Sequence, residues 1–266
     1  MATDRSIGDL LDAGEEALAE AGFTTGDFAA ARELFEQARA EAAQAGEGLA
    51  EARALAGLGM VAHYENVTAL MAGSAVDSAD IDAEEKLFRQ ALSGSPEAGP
   101  AQALFGLGLV FQVLHSDWMT AMPYFWQALE LVSAPDTDAG EYLRSEVHRH
   151  VGFYFLAEDV QPEVAVGHLQ ISLDLREQLG DPRRIPTGLV ALGEAQLSAG
   201  RRDLAVDLLT RAVAQAREAG LLAHWIRQAE NALHAAQAAA ESADPAPASA
   251  DADTRAASAD AESDKQ

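Results

Sequence analysis

The sequence contains no cysteine. That excludes disulfides, thiolate metal sites, iron–sulfur clusters and thiol catalysis together. Lysine is nearly absent as well, with only Lys86 and Lys265, and the asparagines are Asn66 and Asn231. Arginine is the usual cation and alanine is abundant, the composition of a GC-rich bacterial coding sequence. Positive charge is short overall: 18 Lys+Arg face 43 Asp+Glu in 266 residues, a formal net charge of −25. Such a chain repels phosphate backbones and anionic headgroups, so neither nucleic acid nor a membrane is an expected partner. No apolar run reaches the roughly 18 residues needed to span a bilayer. The opening MATDRSIGDLLDAGEE lacks the basic-then-apolar order of a signal peptide, so the expected location is cytoplasmic. The P-loop, the glycine-rich dinucleotide fingerprint, HExxH and the GxSxG elbow are also missing. Neither a cofactor nor an enzymatic activity is expected.

What the chain does have is core-forming material, 48% hydrophobic residues by composition, enough for a substantial folded body. The segment from Ser242 to Gln266 stands apart, made of small, polar and acidic residues without a large apolar side chain. It cannot bury enough surface to offset its ordering entropy and reads as a disordered acidic tail, residues 242–266, after a body of residues 1–241. Within the body, apolar residues recur at helical spacing. Gly26-Asp27, Ser93-Gly94-Ser95-Pro96, Ser133-Ala134-Pro135-Asp136, Gly180-Asp181-Pro182 and Ala199-Gly200 punctuate them. No stretch alternates with period two, so the fold class is all-α.

The helices repeat. A large apolar residue three positions before a small one recurs as Phe35/Ala38, Phe88/Ala91, Phe125/Ala128, Leu169/Ser172 and Leu209/Ala212. Upstream of each lies an apolar-then-small pair: Leu18-Ala19, Leu58-Gly59, Leu107-Gly108, Val151-Gly152 and Leu192-Gly193. From small residue to large residue the spacing is 16, 29, 17, 17 and 16 positions. The long unit carries extra residues between Met71 and Asp82, expected as an over-long loop or helix extension. Antiparallel helices approach closely where small residues face large ones, and that packing accounts for the pattern.

These residues resemble the tetratricopeptide repeat family, most closely in GDFAAARELFEQA (26–38) and LGEAQLSAGRRDLAVDLLTRA (192–212). The units are longer than the family's usual repeat, like its elongated bacterial form. The resemblance implies a right-handed solenoid of about five helix pairs, with the helix after Arg217 as a C-terminal cap. It further implies a concave groove formed by the first helix of each pair. Projection from the small residues places His63, Tyr64, Gln102, Phe105, Leu109, Gln112, Glu146, Arg149, His150, Phe153, Glu194 and Arg227 in that groove. Arg53, Met60, Thr187, Val190 and Glu230 accompany them. The family's best-known ligand mode, a Lys/Asn/Arg clamp on a peptide carboxylate, has no lysine or asparagine at the corresponding places here.

The expected function is a non-catalytic interaction scaffold taking a peptide or partner helix in the groove, with a basic partner favoured by the acidic body. A regulatory sensor for a small ligand or signalling peptide is the second reading, and an enzyme with its site in the groove the third. Groove shape discriminates them. An open groove with exposed rings suits a peptide, and a closed one with buried Glu146, His150 and Glu194 suits a small ligand. Phe105 and Phe153 are expected to face one another on the concave side as binding anchors. Adjacent rings at Phe125-Trp126 and Phe153-Tyr154-Phe155 cannot all enter one core, so some must be exposed. Glu146 and His150, four apart on one helical face, have metal-ligand spacing with Glu194 as a third candidate. An ordinary surface pair or hydrogen bond is the expected reading of these residues, and no metal is assigned.

Overall fold

The computed structural model describes residues 5–94, 101–133, 137–158 and 161–241. The tail expected from Ser242 onward lies outside them. The described residues are helical throughout, with no strand among them. The helices are α1 (Ile7–Glu20), α2 (Ala29–Ala45), α3 (Gly48–Met71), α4 (Ser78–Gly94), α5 (Ala101–Leu109), α6 (Trp118–Leu131), α7 (Asp138–Ala157), α8 (Pro162–Leu179), α9 (Ile185–Ser198), α10 (Arg202–Glu218) and α11 (Ala223–Glu241). Two of them end in wider π-helical turns, α1 through Ala21–Thr25 and α5 through Val110–Leu114.

Local chemistry sets the boundaries. Ser6 opens α1 with a capping box, its hydroxyl accepting from the Asp9 amide while the Asp9 carboxylate accepts from the Ser6 amide. Asp117 and Thr137 cap α6 and α7 in the same way through one side-chain acceptor each. Gly46 closes α2 at φ 73°, a left-handed turn that a Cβ would strain. The extra residues between Met71 and Asp82 mostly lengthen helices: α3 runs to Met71 and α4 starts at Ser78, leaving only a short turn. Pro123 lies inside α6, which starts at Trp118 as its sequence suggests and continues to Leu131.

Each helix packs on the next in sequence, and the odd-numbered helices also pack on one another, α1 on α3, α3 on α5, and onward to α9 on α11. The odd-numbered row therefore has neighbours on both sides and has to tolerate close approach twice. Its sequence shows how. In α3, a Cβ added to Gly57 would lie 2.5 Å from the ring of Phe35 on α2, and one added to Gly59 would lie 2.5 Å from Phe88 on α4. Residues two apart on a helix point to opposite sides. The Gly-Leu-Gly triplet thus admits one large ring from the preceding helix and one from the following helix. Gly106 and Gly108 in α5 repeat the device, against Phe88 and Phe125. Gly152 meets Leu169 and Gly193 meets Leu209, as the repeat spacing requires.

The first unit is offset. The residue pressed against Phe35 from α1 is Gly14, not the Leu18-Ala19 pair, and its added Cβ would lie 2.7 Å from the ring. Gly14 stands 21 positions before Phe35, so the contact falls more than a turn earlier in α1 than the pair spacing predicts. In α7 the preceding-side glycine is replaced by His150, whose ring lies 5.8 Å from Phe125. Here the apolar core divides. One cluster runs from Leu10 to Val151 and the next from Ala165 to Ala236, with Phe155 touching both.

The chain also returns on itself. Leu222, at the start of α11, donates its amide to the Phe23 carbonyl at 2.8 Å, and the Trp225 indole donates to Gly22 at 2.8 Å. Phe23, Ala216 and Leu221 form a small core of their own. Beside it, Arg183 bridges Glu16 at 2.8 Å and Glu20 at 3.1 Å.

Candidate functional site

Tyr142, Glu146, Arg149 and Phe153 recur at i, i+4, i+7 and i+11 along α7 and so share one face. Opposite them stand Tyr64 from α3, Arg176 from α8 and Arg184 at the start of α9. Glu146 takes a charge-assisted bond from Arg176, which also donates to Thr187 at 2.5 Å and to the Arg184 carbonyl at 2.7 Å. Arg176 is 1% exposed and is tolerated there because the Glu146 carboxylate and two further acceptors hold its terminal nitrogens, although its Nε is buried without a partner. Arg184 stacks on Tyr142, its guanidinium carbon 3.5 Å from the ring centre, and Arg149 lies 4.6 Å over Phe153.

Most of the predicted groove residues are thus gathered inward, but as packed groups. His63 is buried and binds Glu84 of α4 at 2.8 Å, and Asn66 donates to the other Glu84 oxygen at 2.8 Å. Tyr64 is half-buried against Phe28, 6.3 Å between ring centres. Gln112 and His150 exchange bonds: the His150 Nδ1–H donates to the Gln112 side-chain oxygen, and Gln112 Nε2 donates to the His150 carbonyl at 3.1 Å. Leu109, Met60 and Val190 are buried in the core and Gln102 is half-buried. Glu194 is half-buried, with its carboxyl pushed up by burial against the opposing pull of Arg149. Arg227 is exposed and separate from this group, and Glu230 pairs outward with Arg217 at 2.6 Å.

Two expectations are corrected. Phe105 is not a groove anchor: it is 2% exposed and packs against Phe125 at 5.8 Å and His150 at 5.4 Å. Phe153 is half-buried and also contacts His150, at 5.7 Å, so the two rings flank that histidine and do not form an open aromatic surface. Burial among these rings, with Arg149 beside it, holds the His150 pKa well below the ordinary histidine value. Glu146 and His150 do not cooperate. One turns to Arg176 and the other to Gln112, and no group of three metal-ligating side chains occurs among the described residues.

The exposed rings lie elsewhere. On α6, Met119 is 74% exposed and Trp126 41%. Met119 meets the Tyr154 hydroxyl of α7 at 3.9 Å, Trp118 lies 6.4 Å from the Tyr154 ring, and Trp126 lies 5.9 Å from His168 of α8. Glu130 is the sole charged side chain of α6. The sequence signal was the impossibility of burying both Phe125 and Trp126. Glu84, Arg176 and Trp225 carried no such signal, because each is defined by a partner distant in sequence.

No protein-family model matches the chain, and no curated protein matches it. Among solved structures, the crystal structure of BtubC (BKLC) from P. vanneervenii is similar over 100% of both chains, at 18% identity and a TM-score of 0.42. No helix among the described residues is long and apolar enough to cross a membrane.

Proposed function

We propose that the chain is a non-catalytic binding module of the tetratricopeptide repeat type, a right-handed stack of five helix pairs with α11 as the cap. The reciprocal small-to-large packing supports the repeat reading, since one device recurs at Gly57/Gly59 and Gly106/Gly108. The observation that carries the binding role is the exposed Met119 and Trp126 face of α6, where Glu130 is the one charged side chain, in a chain of net charge −25. Apolar anchors inside a charged rim are the usual anatomy of a protein-recognition surface. The partner is a protein that offers apolar side chains to α6 and basic ones to the acidic surroundings. The proposed experiment is affinity capture from the source cell with the wild-type chain and with the Met119→Ser/Trp126→Ser variant. The expected result is an unchanged melting temperature and loss of the captured partner. Retention of the partner would exclude this face.

A second reading, a regulatory sensor for a small ligand, is favoured by the inner side. There Glu146 and His150 are buried, and the joined ends restrict access, the arrangement that suits a small molecule over a helix.

A further inference from the structure

The guanidinium of Arg149 has no acceptor closer than 3.5 Å among the described residues, although a buried Nε without a hydrogen-bond partner is something it shares with Arg176 and Arg184. Arg53 is held by Glu15 at 3.2 Å and Asp12 at 3.6 Å. Arg176 has Glu146, Thr187 and a carbonyl, and Arg184 has Asp181 at 3.2 Å and the Tyr142 ring. Arg149, with a side chain only 12% exposed, has Glu146 at 4.0 Å and His150 Nε2 at 3.5 Å, both too long for strong bonds. Its Nε is buried without an acceptor. Buried guanidinium groups are ordinarily saturated, because desolvating the charge is costly unless acceptors replace the lost water.

The surroundings are largely aromatic and partly open. Tyr64, Tyr142, Phe153 and Glu194 each keep some accessible surface. Yet both tyrosines lie deep enough that burial pushes their hydroxyls up, well up for Tyr142, and neither hydroxyl has a hydrogen-bond partner among the described residues. Their O–H groups are therefore free to donate. Glu146 is already committed to Arg176, and Glu194 makes no ion pair or hydrogen bond with Arg149, so the nearby carboxylates do not complete it.

We propose that this inner face binds a small anion, a carboxylate or phosphate ester, through the Arg149 guanidinium with the Tyr64 and Tyr142 hydroxyls at its margin. A planar guanidinium stacked on Phe153 presents its edge N–H groups in the fork that oxyanions accept. The proposal rests on the second reading above and names the chemistry of its ligand.

The test is calorimetric titration at constant ionic strength with inorganic phosphate, citrate, glucose and spermidine, on the wild type, Arg149→Gln, Arg149→Lys and Tyr64→Phe/Tyr142→Phe. Saturable binding of phosphate or citrate is expected, weakened at least about tenfold in Arg149→Gln, the loss of one charge-assisted contact, and partly kept by Arg149→Lys. Preference between phosphate and citrate identifies the natural anion as phosphate ester or carboxylate. The melting temperature of ligand-free Arg149→Gln should equal or exceed that of the wild type, since an under-paired buried cation is removed. Should Arg149→Gln not fold, the double tyrosine variant, which keeps both rings, reads the same weakening. Anion binding of undiminished affinity in the Arg149 and tyrosine variants would overturn the site. Binding of glucose or spermidine without the anions would overturn the anion assignment and leave the sensor reading standing. No binding of any probe would overturn both.

Discussion

The Trp225 indole N–H donates to the carbonyl of Gly22, 2.8 Å away and 203 positions earlier in the chain. The π-helical turn at Ala21–Thr25 makes this possible. With Gly26 bonded back to Ala21, the carbonyls of Gly22 and Phe23 are left for Trp225 and Leu222. Trp225→Phe keeps the ring and deletes the donor, and should cost about 1 kcal/mol of stability, the net value of one hydrogen bond. Trp225→Ala combined with Arg183→Gln should also separate the two ends. Small-angle scattering should then show a larger radius of gyration. An unchanged radius would show that the ends stay joined without these groups.

The glycines of the inner helices give a paired prediction. Gly106→Ala would put a methyl 2.2 Å from the Phe88 ring and should destabilise by about 1–3 kcal/mol through overpacking. Gly167→Ala, exposed in mid-α8 with nothing within 4 Å of the added Cβ, should stabilise by about 0.5–1 kcal/mol. Denaturant midpoints at constant slope measure both.

Much of the architecture was legible before any coordinates. Gly59/Phe88, Gly108/Phe125, Gly152/Leu169 and Gly193/Leu209 were paired by spacing alone, and all four pairs meet. That succeeds because helix packing is periodic and local in sequence. The first pair failed because α1 meets Phe35 through Gly14, five positions before Ala19, and the apolar-then-small pattern at Leu18-Ala19 does not mark that glycine. The site was less legible. Projection found the inner face of α7 but could not tell Arg149, whose acceptors are distant, from Arg176, whose terminal nitrogens are bonded by partners on other helices. Phe105 was misplaced for a similar reason: a residue two before Leu107 faces inward only if the next helix leaves room, and His150 fills it.

Phe105→Ala should accordingly behave as a core truncation, with a loss of about 3–5 kcal/mol. Phe153→Ala, half-buried, should lose less. Thermal melts of the two single variants decide this, and equal small shifts would return Phe105 to the surface.

Acid should weaken the fold through a pair on α7 and α8. His148 and His168 share one hydrogen bond, Nδ1 to Nδ1 at 2.9 Å, which needs one ring to accept and therefore to be neutral. Burial, with His168 opposite, lowers the His148 pKa to about 4 from its ordinary 6.5. The unfolded chain then binds a proton that the folded chain refuses between those values. This contribution is complete above about pH 6.5 and is lost progressively as pH falls toward 4. His148→Gln should flatten the dependence of stability on pH in that window. An identical slope in the variant would assign the acid sensitivity to other groups.

The recognition role of α6 is tested most directly by a photo-crosslinking amino acid placed at position 126, with the same group at Asp207 on α10 as control. After irradiation in the source cell, position 126 should yield one discrete adduct with a single protein, and position 207 should not. The same adduct from both positions, or none from position 126, would contradict a partner surface on α6.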